Sequence, residues 1–132
     1  MSGKIIFTNG CFDVLHRGHI ELLKYCHSLG KVVIVGLNSD ASVKRLKGDK
    51  RPINNQQDRK LMLESIKYVD KVIVFKEDTP YNLIREVNPD VIVKGGDYKP
   101  QDVVGKDICE VKIFNNVPGY STTKAIQNIT GG

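Results

Sequence analysis

His16 and His19 lie three residues apart with Gly18 between them, directly after an apolar run and at the opening of another. His19, Leu22, Leu23 and Cys26 fall at i, i+3, i+4 and i+7, which predicts one face of a helix beginning near His19. His16 then stands one turn earlier on the same side, so the two imidazoles share the helix mouth. Gly18 leaves the backbone bare at the end where a helix is positive and its amides lack partners. Two imidazoles, a glycine and helix-start amides together predict a seat for phosphate. Each part alone has a plainer explanation, because a histidine near a helix start is often only a cap or a packed ring. What sets this stretch apart is that strand, Asn9-Gly10 break, Phe12-Asp13, His-x-Gly-His and apolar helix follow one another without a gap.

The elements that must hold these residues can be read along the chain. Lys4–Thr8 is an apolar strand that breaks at Asn9-Gly10, and the first helix stops at Leu29-Gly30. Residues 31–37, with four β-branched residues in a row at Val32–Val35, read as a parallel strand covered on both faces. Asn38-Ser39-Asp40 caps a short helix through Leu46, followed by a polar loop over 47–52. A helix starting at Asn54 or Asn55 carries Asp58, Arg59, Leu63, Ile66 and Val69. Lys71–Phe75 is a third strand, Thr79-Pro80 caps a helix through Val87, and residues 90–94 are a fourth strand. Glu110–Phe114 is a fifth, and Ser121 caps a terminal helix. This alternation predicts an α/β fold, a Rossmann-like doubly wound, mainly parallel five-stranded sheet with helices on both faces, in one domain over residues 1–132.

In such sheets ligands bind beyond the carboxyl ends of the strands. The rule gathers Asn9–Asp13, Asn38–Lys44, Lys94–Tyr98 and Val117–Thr123 at one edge, and these stretches hold most of the Gly-plus-polar clusters. His16 and His19 are placed there as phosphate donors, with the Thr8, Asn9, Gly10, Cys11 and Phe12 backbone covering the same group. Lys44 and Arg45 on the second helix are within reach of it, Lys47 sits on the loop beyond, and Asn38 and Asp13 stand at the same edge.

The run Gly10-Cys11-Phe12-Asp13-Val14-Leu15-His16-Arg17-Gly18-His19 resembles the signature of the cytidylyltransferase-like nucleotidyltransferases. Beyond it, Asn38–Gly48, Arg51-Pro52-Ile53, Val93–Pro100 and Ser121-Thr122-Thr123 are similar to the heptose 1-phosphate adenylyltransferases within that group, over nearly the whole chain. The resemblance implies transfer of AMP from ATP to a sugar 1-phosphate, with release of pyrophosphate. It implies His16, His19 and Lys44 as the catalytic groups and Arg59, Gly95, Asp97, Ser121, Thr122 and Thr123 as nucleotide contacts, Asp97 taking the ribose or the base. Gly18, read from its place at the helix mouth, joins the nucleotide contacts. Asp13, Asn38 and Lys47 are assigned to the substrate. Mg²⁺ is expected on the triphosphate, held mainly by phosphate oxygens and water, with Asp13 a candidate contributor. A phosphate monoester is already ionised at neutral pH, so the chemistry asks for positioning and charge neutralisation rather than a general base. Homodimerisation is also what the resemblance implies.

The rival of the same class is a glycerol-3-phosphate cytidylyltransferase using CTP. It carries an arginine where this chain has Asn116, and Met-Gly-Asp-Asp where this chain has Lys94-Gly95-Gly96-Asp97. An FAD synthetase-like adenylyltransferase shares the histidine box. A dinucleotide-binding oxidoreductase would need Gly-x-Gly-x-x-Gly after the first strand, and Gly10-Cys11-Phe12-Asp13 lacks it. The net charge of +5 suits an anionic partner, but the lysines are interspersed with acids rather than gathered in an aromatic-interleaved patch, so no nucleic acid is expected. At 132 residues, 40% hydrophobic and 27% charged, the chain reads as an ordinary globular domain. No apolar run is long enough for a membrane helix, no signal-peptide pattern precedes the first strand, and three scattered cysteines suit a reducing cytoplasm.

Overall fold

A computed structural model describes residues 3–96 and 98–115. Its five strands, β1 (Ile5–Gly10), β2 (Val32–Asn38), β3 (Lys71–Phe75), β4 (Val91–Gly95) and β5 (Glu110–Phe114), form one sheet in the order β3-β2-β1-β4-β5. All of the pairings are parallel. The chain starts in the middle, winds outward to β3, then returns to place β4 against the other side of β1. The direction of winding thus reverses between β1 and β4, and a crevice opens beyond their carboxyl ends.

The helices are α1 (Arg17–Leu29), α2 (Asp40–Lys47), α3 (Gln56–Glu64) and α4 (Tyr81–Val87), with a 3-10 turn at Pro100–Asp102. Strand alternation sorts the core into two faces. On one, α1 and α3 bury Leu22, Leu23, Cys26 and Leu63 against Ile6, Val33, Val35, Leu37, Val72, Val91 and Val93. On the other, Leu83 and Ile84 of α4, with Val103, cover Phe7, Phe75 and Ile92. Gly36 of β2 lies under this second layer, where a Cβ would come within 2.7 Å of the Phe7 ring. The sheet's opposite end is closed by two carboxylates: Asp90 accepts from the Ile5 amide and Asp70 from the Val33 amide, each at 2.7 Å.

Several element limits differ from the periodicity. β1 runs on through Asn9-Gly10, where a break is expected, β2 and β4 sit one residue later, and α2 ends at Lys47 instead of Leu46. Three helix ends differ for a local reason. Helix α1 begins at Arg17, two residues before its apolar stripe, because His16 caps it. Helix α3 ends at Glu64 instead of running to Val69. The Ser65 amide folds back on the last turn, and Ile66 and Val69 pack from turns beyond it. Pro80, not Thr79, occupies the cap position of α4, and no side-chain cap bond forms there. The predicted terminal helix at Ser121 lies outside the described residues.

Candidate active site

The turn from β1 into α1 is locked by the two histidines. His16 sits in extended backbone (φ −141°, ψ 177°), its Nδ1 accepts from the Gly18 amide at 3.0 Å, and His19 Nδ1 accepts in return from the His16 amide at 3.3 Å. This is a capping box in which imidazoles replace the usual hydroxyl and carboxylate. The two rings stack with centroids 3.8 Å apart, and Phe12 meets His19 edge-on at 5.1 Å. Phe12 holds φ at 45°, a region a bulky residue rarely occupies and one typical of strained functional turns.

The caps have a chemical consequence. An Nδ1 that accepts a hydrogen bond cannot carry the proton, so in each neutral ring the hydrogen resides on Nε2. Burial pushes the pKa of His16 below the ordinary value of 6.5. Burial, joined by the neighbouring His16, takes His19 down to about 4. Both imidazoles are therefore neutral Nε2–H donors at pH 7. The Gly18 amide, expected to be open to a ligand, is already bonded to His16.

A cavity of about 680 Å³ opens at this point. Asn9, Gly10, Cys11, Phe12, His16, Gly18 and His19 line it from the β1–α1 turn, Asn38 from the end of β2 and Gly95 from the end of β4. Lys47, the last residue of α2, reaches it, whereas the expected Lys44 is solvent-exposed and does not line it. Thr8 is buried just beneath, its Oγ1 without a hydrogen-bond partner among the described residues.

Two expected ligand-binding residues are engaged by groups of the protein itself. Asp13, assigned to substrate or Mg²⁺, is 1% exposed. Its carboxylate accepts from Arg51 Nε (2.5 Å), the Ile53 amide (2.7 and 2.9 Å) and the Asn54 amide (3.0 Å). Burial alone would raise its pKa, but the Asn54 and Ile53 amides and the Arg51 guanidinium outweigh that and hold it below the usual range. Both oxygens are occupied in clamping the 51–54 loop. Arg59, assigned to the nucleotide, is also 1% exposed. It donates to the carbonyls of Asn54 (3.0 Å), Cys11 and Asn38 (2.8 Å each) and to the Asp40 carboxylate (2.8 Å). It ties the β1, β2 and α3 ends together from behind the cavity wall, not from within it. Asn38 uses its side chain on Ser42 Oγ at 2.9 Å. Among the described residues no group of three His, Cys, Asp or Glu side chains could hold a metal ion. Asp97, Ser121, Thr122 and Thr123 lie outside the described residues.

The cavity also has walls outside the four gathered stretches: Arg51, the Asp78–Pro80 turn after β3, and Asp102–Val104. Lys94 and Tyr98, inside the gathered Lys94–Tyr98 stretch, line it too, with no role assigned to them from the sequence. One signal was available. Lys94 interrupts the Val91-Ile92-Val93 run at the carboxyl end of its strand, where a strand covered on both faces would continue apolar. Burial lowers the Lys94 pKa, the nearby Cys11 thiol acts to raise it and Lys47 to lower it.

Comparison with known proteins places this arrangement. The cytidylyltransferase-like family matches residues 7–128. The bifunctional protein HldE of Nitratiruptor sp. is 58% identical over 127 residues, covering 96% of this chain and 28% of the relative. HldE of Campylobacter concisus is 56% identical over 127 residues, with 96% and 27% covered. The chain thus spans a little over a quarter of the length of the curated relatives it matches. Among solved structures, a lipopolysaccharide core biosynthesis protein from Thermoplasma volcanium is similar, with a TM-score of 0.71 and 29% identity over 86% of this chain and 96% of that one. Pantothenate synthetase from Thermus thermophilus shares the fold, with a TM-score of 0.61 at 15% identity over 86% of this chain and 56% of that one. Among the described residues no helix is long and apolar enough to cross a membrane.

Proposed function

The chain belongs to the cytidylyltransferase-like family of nucleotidyltransferases, and from that premise we propose that it transfers AMP from ATP to a sugar 1-phosphate, a heptose 1-phosphate, and releases pyrophosphate. The observation that carries the reading is the pair of neutral Nε2–H donors fixed by the reciprocal histidine caps at the crevice mouth. Identity to the HldE proteins supports the adenylyl donor and the heptose acceptor.

The residues divide the work by chemistry. His16 and His19 donate to oxygens of the transferred phosphoryl group, where negative charge grows as the acceptor attacks. Because the caps hold both rings before substrate arrives, no reorganisation is needed in the transition state. Neutral donors suit this task, since they give no proton away and do not trap the leaving pyrophosphate as a tight ion pair. Lys47 at the end of α2 supplies positive charge toward the departing phosphates, the role expected of Lys44. Arg59 and Asp13 act behind the wall, holding the loop ends that carry these groups. Mg²⁺ bound to the triphosphate would supply further charge neutralisation there; Asp13 is occupied by Arg51, Ile53 and Asn54, so the metal would be held by phosphate oxygens and water. The nucleotide substrate implies a cytoplasmic setting, and a homodimer accompanies the reading as an expectation from resemblance.

The test is a panel of NTPs against phosphorylated sugars and polyols with Mg²⁺, read as pyrophosphate release. ATP should exceed CTP by at least about tenfold in kcat/KM, and heptose 1-phosphate should exceed glycerol 3-phosphate by more, because a polar site leaves buried groups unpaired with the wrong ligand. CTP preferred together with glycerol 3-phosphate would move the chain to the cytidylyltransferase reading.

A further inference from the structure

We propose that Lys94 is the residue that binds the acceptor's phosphate, its ammonium meeting the phosphate monoester from the α4 face of the sheet while the histidine pair works from the α1 face. The proposal rests on the nucleotidyltransferase reading and adds to it which side of the crevice takes which reactant.

The placement follows from strand alternation. Ile92 packs with Leu83, Ile84 and Val103 on the α4 face, whereas Val91 and Val93 pack with Leu22 and Cys26 of α1 on the other. Lys94, two residues after Ile92, therefore leaves the strand on the α4 face. Both Lys94 and the histidines nonetheless line the same cavity, so it wraps around the carboxyl ends of β1 and β4 and is reached from opposite faces.

The charge arrangement points to an anion there. Lys94 forms no salt bridge among the described residues; its described neighbour is the Tyr98 ring, 4.9 Å below the ammonium. Arg51, another cation of the cavity wall, is already paired with Asp13. Lys47 shares the cavity and works against the Lys94 charge. The Tyr98 face offsets part of the penalty of the half-buried ammonium, and the rest, with a second cation nearby, stays unfavourable until an anion arrives. A phosphate monoester dianion is compact and matches a point charge well.

The reaction must also bring two anions together, the attacking phosphate and the phosphate it attacks. Separate seats on the two faces do this, with neutral donors for the group transferred and a cation for the nucleophile. The rest of the α4-side wall suits a small polyhydroxylated molecule, since Thr79 and Asp102 offer hydroxyl partners beside the apolar Pro80 and Val104.

The test compares Lys94→Met, which keeps the length and removes the charge, with Lys94→Arg, which restores charge. Heptose 1-phosphate is varied at saturating ATP, and ATP at saturating heptose 1-phosphate. Lys94→Met should raise KM for the acceptor by at least about tenfold, leave KM for ATP within about twofold, and be partly rescued by arginine. Calorimetry without substrate turnover gives a second readout: wild-type protein should bind inorganic phosphate more tightly than Lys94→Met, while ATP binding stays the same. A larger rise in KM for ATP than for the acceptor, or an unchanged acceptor KM, overturns the assignment. If Lys94→Met fails to fold, Lys94→Gln is measured in its place. Wild-type protein that releases no pyrophosphate defeats the parent reading instead, and the phosphate titration then decides Lys94 alone.

Discussion

The Nδ1 atom of His19 accepts a hydrogen bond from the backbone amide of His16, and through it the helix cap and the proposed donor tautomer are one structure. Each histidine has two tasks carried by different nitrogens, which makes them separable by substitution. Asparagine offers a cap acceptor near the Nδ1 position but nothing at Nε2. His16→Asn should retain stability to within about 1 kcal/mol, since asparagine is a favoured N-cap. Turnover should still fall about 10²–10³-fold, the usual effect of losing one transition-state donor. His16→Ala should lose similar activity and, in addition, about 1 kcal/mol of stability in a urea titration. Near-native turnover in His16→Asn would reduce the residue to a cap.

The depressed pKa of His19 makes a prediction in acid. Burial holds its folded pKa at about 4, against 6.5 for the unfolded chain. The unfolded state therefore takes up a proton first, and stability from the neutral ring is complete above 6.5 and lost progressively as pH falls toward 4. Urea midpoints of wild type and His19→Gln, compared between pH 7 and 4.5, should converge as the pH drops. Carboxylates such as Asp13 titrate in both proteins and cancel in the comparison. A difference that stays constant with pH contradicts a buried neutral His19.

Asp13 is expected to behave as part of the framework. Its partner Arg51 has a side chain 17% exposed and its own is fully covered, so removing the charge leaves a nearly buried guanidinium unpaired. Asp13→Asn should lower stability by about 3 kcal/mol, within the range for breaking a buried pair. The 48–54 loop should become more sensitive to limited proteolysis. Unchanged stability with a strongly raised Mg²⁺ requirement would return Asp13 to the metal.

The fold was legible because its cause is local. Period-2 and period-3.6 patterns are properties of neighbouring residues, and the sequence predicts β3 and β5 to their end residues. The crevice was legible too, since the strand-end rule needs only strand order. What escaped were roles decided by partners far along the chain. Asp13 meets residues about 40 positions away, and Arg59 spans from Cys11 to Asn54, so nothing beside either residue reveals that its charge is already occupied. Lys44 and Lys47 differ by less than a turn of a short helix, and only the helix's orientation decides which lysine reaches the cavity.

That last pair gives a direct contrast. Lys47→Ala should reduce turnover by about tenfold or more with a smaller change in ATP affinity, as expected for charge met mainly in the transition state. Lys44→Ala should stay within about twofold of wild type. Steady-state kinetics with equilibrium ATP binding separates the two, and the reverse ranking would mean that α2 presents its other side to the nucleotide.

The central claim is that the group transferred is the nucleotide's α-phosphoryl with its nucleoside, and isotopic labelling tests it without assumptions about rate. The protein is incubated with Mg²⁺, heptose 1-phosphate and ATP labelled at either the α- or the γ-phosphate. The account predicts that α-label appears in a nucleotide-sugar product and γ-label leaves entirely as pyrophosphate. Label from the γ-position on the sugar, or no product carrying the α-label, contradicts it.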